Sequence, residues 1–259
     1  INENGLGSVL FNALNLPSTI SPLDGNGEFT LVPNTGLGIE IINPLAQIEN
    51  TFNDYDLKKL NGTVGMDYQI LESLKLTGRV GFNTANSAGK TFFKEVSYGG
   101  KVFDVARSFV TQNAINDNDY SLDIFLNYKK SYFDTHNVDF LLGTTAYRQW
   151  GNGLFATGYD VPNNDWGFAD IALALGTSEG RDVGSYAYDE RRLSFFSRLQ
   201  YDYKGKYLIS AMLRRDSSTK FGPGKKVGYF PSATLGWVVS DEAFFGEPKA
   251  LNFFKIRAS

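Results

Sequence analysis

The chain has 259 residues, 42% of them hydrophobic and 15% aromatic, with 25 basic against 28 acidic side chains and a formal charge of −3. That length suits one large β domain or two smaller ones; the apolar content is too high for disorder, and the near-balanced charge gives no electrostatic case for nucleic acid. With no Cys and a single His, the sequence excludes a disulfide framework, a thiolate metal site, a cysteine nucleophile and a His-rich metal centre.

Ile1 opens a polar, Gly-containing stretch without the basic n-region of a signal peptide. Residues 1–55 read as a long connection. Within it Leu6, Val9, Leu10, Phe11 and Leu14, before Pro17, predict a short amphipathic helix. No run approaches the roughly 18–20 apolar residues of a membrane helix. Barrel strands escape that test, because their lipid face occupies every second residue only.

Alternation of period two then begins. Leu60, Gly62, Val64, Met66, Tyr68 and Ile70 share one face, while Asn61, Thr63, Gly65, Asp67 and Gln69 share the other. After a tight turn at Glu72–Ser73, Leu74, Leu76, Gly78, Val80 and Phe82 oppose Lys75, Thr77, Arg79, Gly81 and Asn83. Residues 84–117 form a second long connection. Tyr120, Leu122, Ile124, Leu126 and Tyr128 then alternate with Ser121, Asp123, Phe125, Asn127 and Lys129, and a partner strand runs from about Val138 to Gln149. His136, between Thr135 and Asn137, reads as a surface histidine in a polar turn. A third long connection covers 150–190.

Next, Leu193, Phe195, Leu199, Tyr201 and Tyr203 oppose Arg192, Ser194, Arg198, Gln200 and Asp202. Lys204–Gly205 turns the chain into a strand from Lys206 to Arg215, and an intermediate connection follows at 216–226. Tyr229, Ala233, Leu235, Trp237 and Val239 face away from Ser232, Thr234, Gly236 and Ser240. A turn of helix is expected at Asp241–Phe245, before Pro248. Phe254, Ile256 and Ala258 then alternate with Lys255, Arg257 and Ser259, so the run stops in mid-pattern and the chain reads as a fragment.

About eight strands result, and short connections near Ser73, Asp134, Gly205 and Gly246 take turns with longer ones. In an antiparallel meander every long loop then falls on one rim, as in outer-membrane barrels. Tyr68, Tyr128, Tyr201, Tyr203, Tyr207 and Trp237 sit towards the short-turn rim, and Tyr120, Tyr147 and Tyr229 towards the other. Rings with a polar tip favour the two membrane–water interfaces. Charges fall on the other face: Asp67, Lys75, Arg79, Asp123, Arg192, Arg198 and Asp202. A soluble β-sandwich with one wet face would segregate its charges in the same way, and a complete passive eight-stranded barrel would show the same strands.

Catalytic and metal motifs are poor. Gly222–Pro223–Gly224–Lys225–Lys226 lacks the first-Gly spacing and the Ser/Thr of a phosphate loop. Asp117, Asp119, Ser121 and Asp123 start like an EF-hand, but Leu122 stands where Gly is required. Asp189–Glu190 and Asp241–Glu242 read as solvated strand borders. No catalytic residue, cofactor or metal site is expected. Trp150, Phe155, Tyr159, Trp166 and Phe168 fall in one Gly/Asn/Asp-rich loop and are candidates for stacking on sugar or peptide, or for packing that loop against its neighbours.

Several stretches resemble the barrel region of the SusC/RagA family of TonB-linked outer-membrane proteins. They are Asn43-Pro44-Leu45-Ala46-Gln47-Ile48-Glu49-Asn50-Thr51 leading to Leu60-Asn61-Gly62, and Arg192-Leu193-Ser194-Phe195-Phe196-Ser197-Arg198-Leu199-Gln200-Tyr201-Asp202-Tyr203 with Lys206-Tyr207-Leu208 and Arg214-Arg215-Asp216-Ser217-Ser218. Gly228-Tyr229-Phe230-Pro231-Ser232-Ala233, Gly236-Trp237 and the stretch from Leu251 to Ser259 complete the match, which spans most of 43–259. The resemblance implies an all-β fold, with this chain an antiparallel transmembrane segment of a roughly 22-stranded barrel. It also implies extracellular loops at 1–55, 84–117, 150–190 and 216–226, with the plug and the TonB-contacting segment unmatched here. The implied activity is energised import of oligosaccharides or oligopeptides across a bacterial outer membrane, with a SusD-like surface lipoprotein, TonB and the lipid bilayer as partners. Asp67, Arg79, Asp123, Arg192, Arg198 and Asp202 would face the lumen.

Overall fold

The chain is described by a computed structural model over residues 7–177, 182–246 and 252–259, so Leu6, Pro248 and Leu251 of the predicted elements lie outside the described residues. Eight strands form one sheet in strictly sequential order: β1 Thr51–Leu71, β2 Leu74–Phe93, β3 Phe109–Tyr132, β4 His136–Tyr159, β5 Asp182–Tyr203, β6 Tyr207–Ser218, β7 Val227–Val238 and β8 Lys255–Ala258. β1 and β8 are not neighbours, so the sheet does not close on itself. Nor do the described residues form two sheets to stack as a sandwich. Both the closed eight-stranded barrel and the sandwich fail here.

Register follows the turns. Glu72 and Ser73 alone separate β1 from β2. Three residues, Lys204 to Lys206, join β5 to β6; Lys204 and Gly205 take φ of 57° and 69°, and Lys206 N donates to Tyr203 O at 3.0 Å, a turn whose twist matches paired strands. Asp202 accepts the Gly205 amide at 2.6 Å and locks that turn. Across β5–β6–β7 the pairing runs Tyr203↔Tyr207↔Trp237 through Phe195↔Arg215↔Tyr229 to Leu193↔Ser217↔Val227.

The strands outrun their sequence signal. β1 to β5 are 20–24 residues long, whereas a tilted membrane strand needs about 9–11. The connections predicted at 1–55, 84–117, 150–190 and 216–226 therefore shrink, the last three to 94–108, 160–181 and 219–226. Alternation appears in a sequence only where the two faces of a strand meet different surroundings. Backbone N–H and C=O groups need partners regardless, so the ladder continues after the pattern stops.

Contact clustering divides the chain into two compact units. Unit 1 comprises Ile1–Lys58, Ala85–Asn116 and Asn152–Ala187; unit 2 comprises Lys59–Thr84, Asp117–Gly151 and Tyr188–Ser259. Unit 1 holds both hydrophobic clusters among the described residues. Phe92, Val110, Val161 and Ala169 form one, with Phe52, Trp166 and Ile171 packed on it; Ile42, Ala46 and Tyr98 form the other, with Val96 and Phe103.

The predicted helix is found as α1, Val9–Asn15, capped by Ser8, whose hydroxyl accepts the Phe11 amide at 3.0 Å. A second helix, α2 Pro44–Asn50, was not expected. Asn43 caps it, accepting from Leu45 N at 3.0 Å, and Pro44 supplies the preset φ of a first helical residue. Fully buried Asn12 ties α1 to its neighbours: its amide donates to Gln47 Oε1 at 2.9 Å and its oxygen accepts Ile42 N at 3.2 Å. Instead of a turn of helix at Asp241–Phe245, a 3-10 turn forms at Val239–Asp241.

Candidate functional site

Unit 2 is a sheet with two unlike faces. On one, polar side chains bond to one another across strands. Thr77 donates to Asp67 at 2.6 Å, with Lys75 3.7 Å away; Thr145 donates to Asp123 at 2.6 Å, and Asn127 to Asp139 at 2.8 Å. The Arg79 guanidinium lies over the Phe125 ring at 5.6 Å and that of Arg192 over Tyr147 at 4.9 Å. Arg198 is 3.9 Å from Asp139, and its buried Nε has no protein acceptor. Asp202 accepts from Asn137 Nδ2 at 3.4 Å. Strand alternation thus sets Asp67, Arg79, Asp123, Arg192, Arg198 and Asp202 on one face. Part of that face is hollowed into a cavity of about 570 Å³ lined by Lys129, Asp139, Gln200, Asp202, Lys255 and Arg257, among others.

The opposite face is apolar and open. Leu122, Leu199 and Leu235 are 37%, 43% and 57% exposed, as are Met66, Val80, Leu142 and Leu213 to similar degrees. So much contiguous exposed hydrocarbon is incompatible with water on that side and marks a lipid or protein contact.

The short-turn end is braced by polar handles on rings. Glu242 accepts from Tyr207 Oη at 2.6 Å, Trp237 Nε1 at 3.1 Å and Lys206 Nζ at 3.4 Å. The expectation of a solvated border therefore fails at Glu242. His136 is not a free turn histidine either: it opens β4, its Nδ1 is 2.7 Å from the Tyr201 hydroxyl, and the Tyr203 ring centroid lies 4.8 Å away. At Asp189 the second expected border is interior to β5, and the carboxylate is clamped by Arg148 and Arg191, each at 2.9 Å from Oδ2.

The five candidate aromatics do not share one loop or one site. Trp150, Phe155 and Tyr159 lie within β4, because the ladder runs on past Gln149. In unit 2, Trp150 meets Tyr120 edge-on at 5.9 Å under the Arg148 guanidinium at 4.7 Å. In unit 1, Trp166 stacks on Phe52 at 5.6 Å with Lys90 Nζ 4.0 Å above its ring. Phe168 shares its 3-10 turn, Trp166–Phe168, and stays exposed.

Phe155 and Tyr159 keep a different company, also in unit 1. Phe155 covers Gly184, where a Cβ would sit 2.2 Å from its ring, and Tyr186 covers Gly153 in the same way at 2.3 Å. A side chain at either position would displace the ring that covers it. Phe155 and Tyr186 remain 41% and 49% exposed. Tyr159 packs at 5.9 Å on Phe109, itself stacked at 4.7 Å on Phe93, with the Arg107 guanidinium 5.3 Å over the Tyr159 ring. Arg107 also grips Asp160 through Nε at 2.8 Å, which holds that carboxyl below the usual carboxylate range. Tyr186 and Phe109 were missed, although Ser185-Tyr186-Ala187-Tyr188 already alternates in the sequence.

No family model matches the chain. The TonB-dependent receptor P39 of Formosa agariphila is 30% identical over 224 residues, covering 84% of this chain and 20% of that protein. The TonB-dependent receptor SusC of Bacteroides thetaiotaomicron is 26% identical over 245 residues, covering 94% of this chain and 23% of that protein. A solved structure of the RagAB peptide transporter superposes with a TM-score of 0.77 at 18% identity, over 99% of this chain and 28% of that one. The chain thus spans about a fifth to a quarter of the length of the curated relatives it matches. Sequential antiparallel strands, an open apolar face, a cross-bonded polar face and these relatives agree: the chain belongs to the SusC/RagA-type TonB-dependent receptors, as a segment of their β-barrel.

Proposed function

We propose that the chain is a stretch of barrel wall in a bacterial outer-membrane importer of oligosaccharides or oligopeptides. In this reading the apolar face of unit 2 lies against hydrocarbon, and Asp67, Arg79, Asp123, Arg192, Arg198 and Asp202 face the lumen. The single observation that carries it is the inversion of faces, with leucines exposed on one side and ion pairs and hydrogen bonds gathered on the other. Connections 94–108, 160–181 and 219–226, with the segment before β1, are extracellular in this scheme. A SusD-like lipoprotein captures substrate with them, and TonB drives passage through parts of the receptor other than those matched here. No covalent chemistry is involved.

The exposed rings Phe155 and Tyr186, with half-buried Tyr159, are the proposed substrate contacts, because a flat ring stacks on the apolar face of a sugar or against a peptide. Peptide transport is what the solved RagAB relative is described by; the amide- and hydroxyl-rich surroundings here, with Thr111 and Thr157 3.0 Å apart, suit sugars as well. The test is uptake of fluorescent oligosaccharide and oligopeptide panels by cells carrying the intact receptor, compared with Phe155→Ala/Tyr186→Ala. An approximately tenfold fall in rate at unchanged outer-membrane abundance is expected, at about 0.5–1.5 kcal/mol per ring. Unchanged uptake of both panels removes the rings from the substrate path. Uptake that survives collapse of the proton-motive force points to a passive pore instead.

A further inference from the structure

The outward face of unit 2 changes character row by row. The bottom row of paired residues, Tyr203–Tyr207–Trp237, is aromatic. Above it come Tyr201–Ile209–Leu235, Leu199–Ala211–Ala233 and Ser197–Leu213–Pro231, none carrying a charge. Phe195–Arg215–Tyr229 follows, then Leu193–Ser217–Val227, and then Arg191 beside Thr219, whose hydroxyl accepts the Arg191 amide at 2.8 Å. From Tyr203 to Arg191 is 12 residues of one strand. At about 3.3 Å per residue and a tilt near 40° that is roughly 30 Å along the membrane normal, about one hydrocarbon thickness. Arg191 therefore stands at the interface opposite the Tyr203 row.

It does not stand alone. Arg148 and Arg191 each place Nε and Nη2 on the two oxygens of Asp189, at 2.9 to 3.2 Å. One carboxylate thus fixes two guanidiniums side by side, cancels only one of their charges, and leaves further N–H donors on each. Arg191 is 61% exposed and Arg148 34%. Arg215 lies over the Phe195 ring at 6.0 Å two rows below Arg191, and Lys226 lines the same groove. That groove, of about 270 Å³, is lined by Ala146 and Leu193 with Arg148, Arg191, Ser217 and Thr219, and by Tyr147 and Arg192 of the adjoining strand positions, among others. Trp150 and Tyr120 flank the pair as interfacial rings.

A soluble substrate cannot account for cations on this face, since the transport path in the proposed function runs along the other. We propose that this groove binds the phosphate-bearing headgroup of a membrane lipid in the outer leaflet, with the guanidinium pair on the phosphate and the acyl chains along Leu193 and the rows below. The inference rests on the lipid-facing reading of the apolar face. Charge and depth select the occupant: a net positive cluster one membrane thickness from the opposite aromatic row lies at the depth of the anionic headgroups.

The intact receptor in detergent micelles, and the variant Arg148→Gln/Arg191→Gln/Arg215→Gln, would be titrated with phosphorylated lipid A, with the same lipid dephosphorylated, and with inorganic phosphate, using native mass spectrometry. The proposal expects at least about tenfold weaker retention of the phosphorylated lipid by the variant. It also expects no difference between the two proteins for the dephosphorylated lipid, and no displacement by millimolar phosphate. Arg148→Lys/Arg191→Lys, which keeps the charge, should retain most of the binding if the triple variant assembles poorly. Equal retention by all three proteins, or by phosphorylated and dephosphorylated lipid, overturns the proposal; competition by free phosphate at matching concentration reduces it to a simple anion site and also overturns it. Heat-modifiable migration is read in parallel. Its loss in the unmutated receptor would sink the barrel reading itself, whereas its presence without lipid discrimination sinks this inference alone.

Discussion

The two units treat their hydrocarbon differently. In unit 1, Phe92 and Ile42 are fully enclosed in small apolar clusters, as in any protein folded in water. In unit 2, leucines and aromatics lie open on the sheet, while among the largest fully buried side chains are the polar Thr77 and Ser194. β1 to β5 contribute to both, so one strand changes its solvent part-way along. A given substitution therefore has a meaning that depends on the unit. Removing hydrocarbon damages unit 1 by leaving a hole; adding charge damages unit 2 by placing an ion in lipid.

The largest effect expected is Phe92→Ala, at about 3–5 kcal/mol for a large ring deleted from a closed cluster. Because Trp166 and Ile171 pack on that cluster, the damage should appear as lost hydrogen-exchange protection over 160–176. Barrel assembly should persist. If protection falls instead across β6 and β7, the two units are not separable in energy and the contrast breaks. Next in size is a charge on the apolar face. Leu122→Arg should cost about 2–4 kcal/mol in urea unfolding of receptor refolded into lipid vesicles. Leu154→Arg, at a still more exposed leucine of unit 1, should stay within about 0.5 kcal/mol. Equal costs at the two positions would mean that exposure, and not lipid, governs both.

What the sequence made legible follows the same divide. In unit 2 the alternation, the Glu72–Ser73 and Lys204–Gly205 turns and the sorting of charges all reappear in the sheet, because each strand sees two solvents and records them at every second residue. In unit 1 both faces of a strand can be polar or covered, so little alternation marks the unit 1 parts of β2 to β5 beyond the short run Ser185–Tyr188. Phe155 and Tyr159 were assigned to a loop for that reason. Trp166 and Phe155 look alike in the sequence; one is held in a cluster by Phe52 and Lys90 and the other covers a glycine, a difference made by residues far away in the chain. The tethers at Asp189 and Glu242 likewise depend on cross-strand partners and not on their acidic neighbours. Helix α2 did carry a local sign, Asn43 before Pro44, which is a start signal as plain as that of α1.

The smallest effect expected is also in unit 1, at the 94–108 connection. Burial acts to raise the Asp104 carboxyl, but amides of Tyr98, Lys101 and Gly100 and the Ser97 hydroxyl all donate to it, and the net result is a pKa held below the ordinary value. Tyr98 N is 2.7 Å and Gly100 N 3.1 Å from its oxygens. A carboxyl depressed by folding contributes stability that is present above its unfolded pKa, near 3.9, and is lost as pH falls through the lower folded value. Protection factors for the Tyr98 and Gly100 amides should thus hold steady from pH 7 to about 5 and decline only below about pH 4. Asp104→Asn keeps the shape and removes the titration, so its protection should be lower at pH 7 and flat with pH. A decline centred near pH 6, or an unchanged profile in Asp104→Asn, would place the organising charge of this loop on a different residue and leave unit 1 held by its apolar clusters alone.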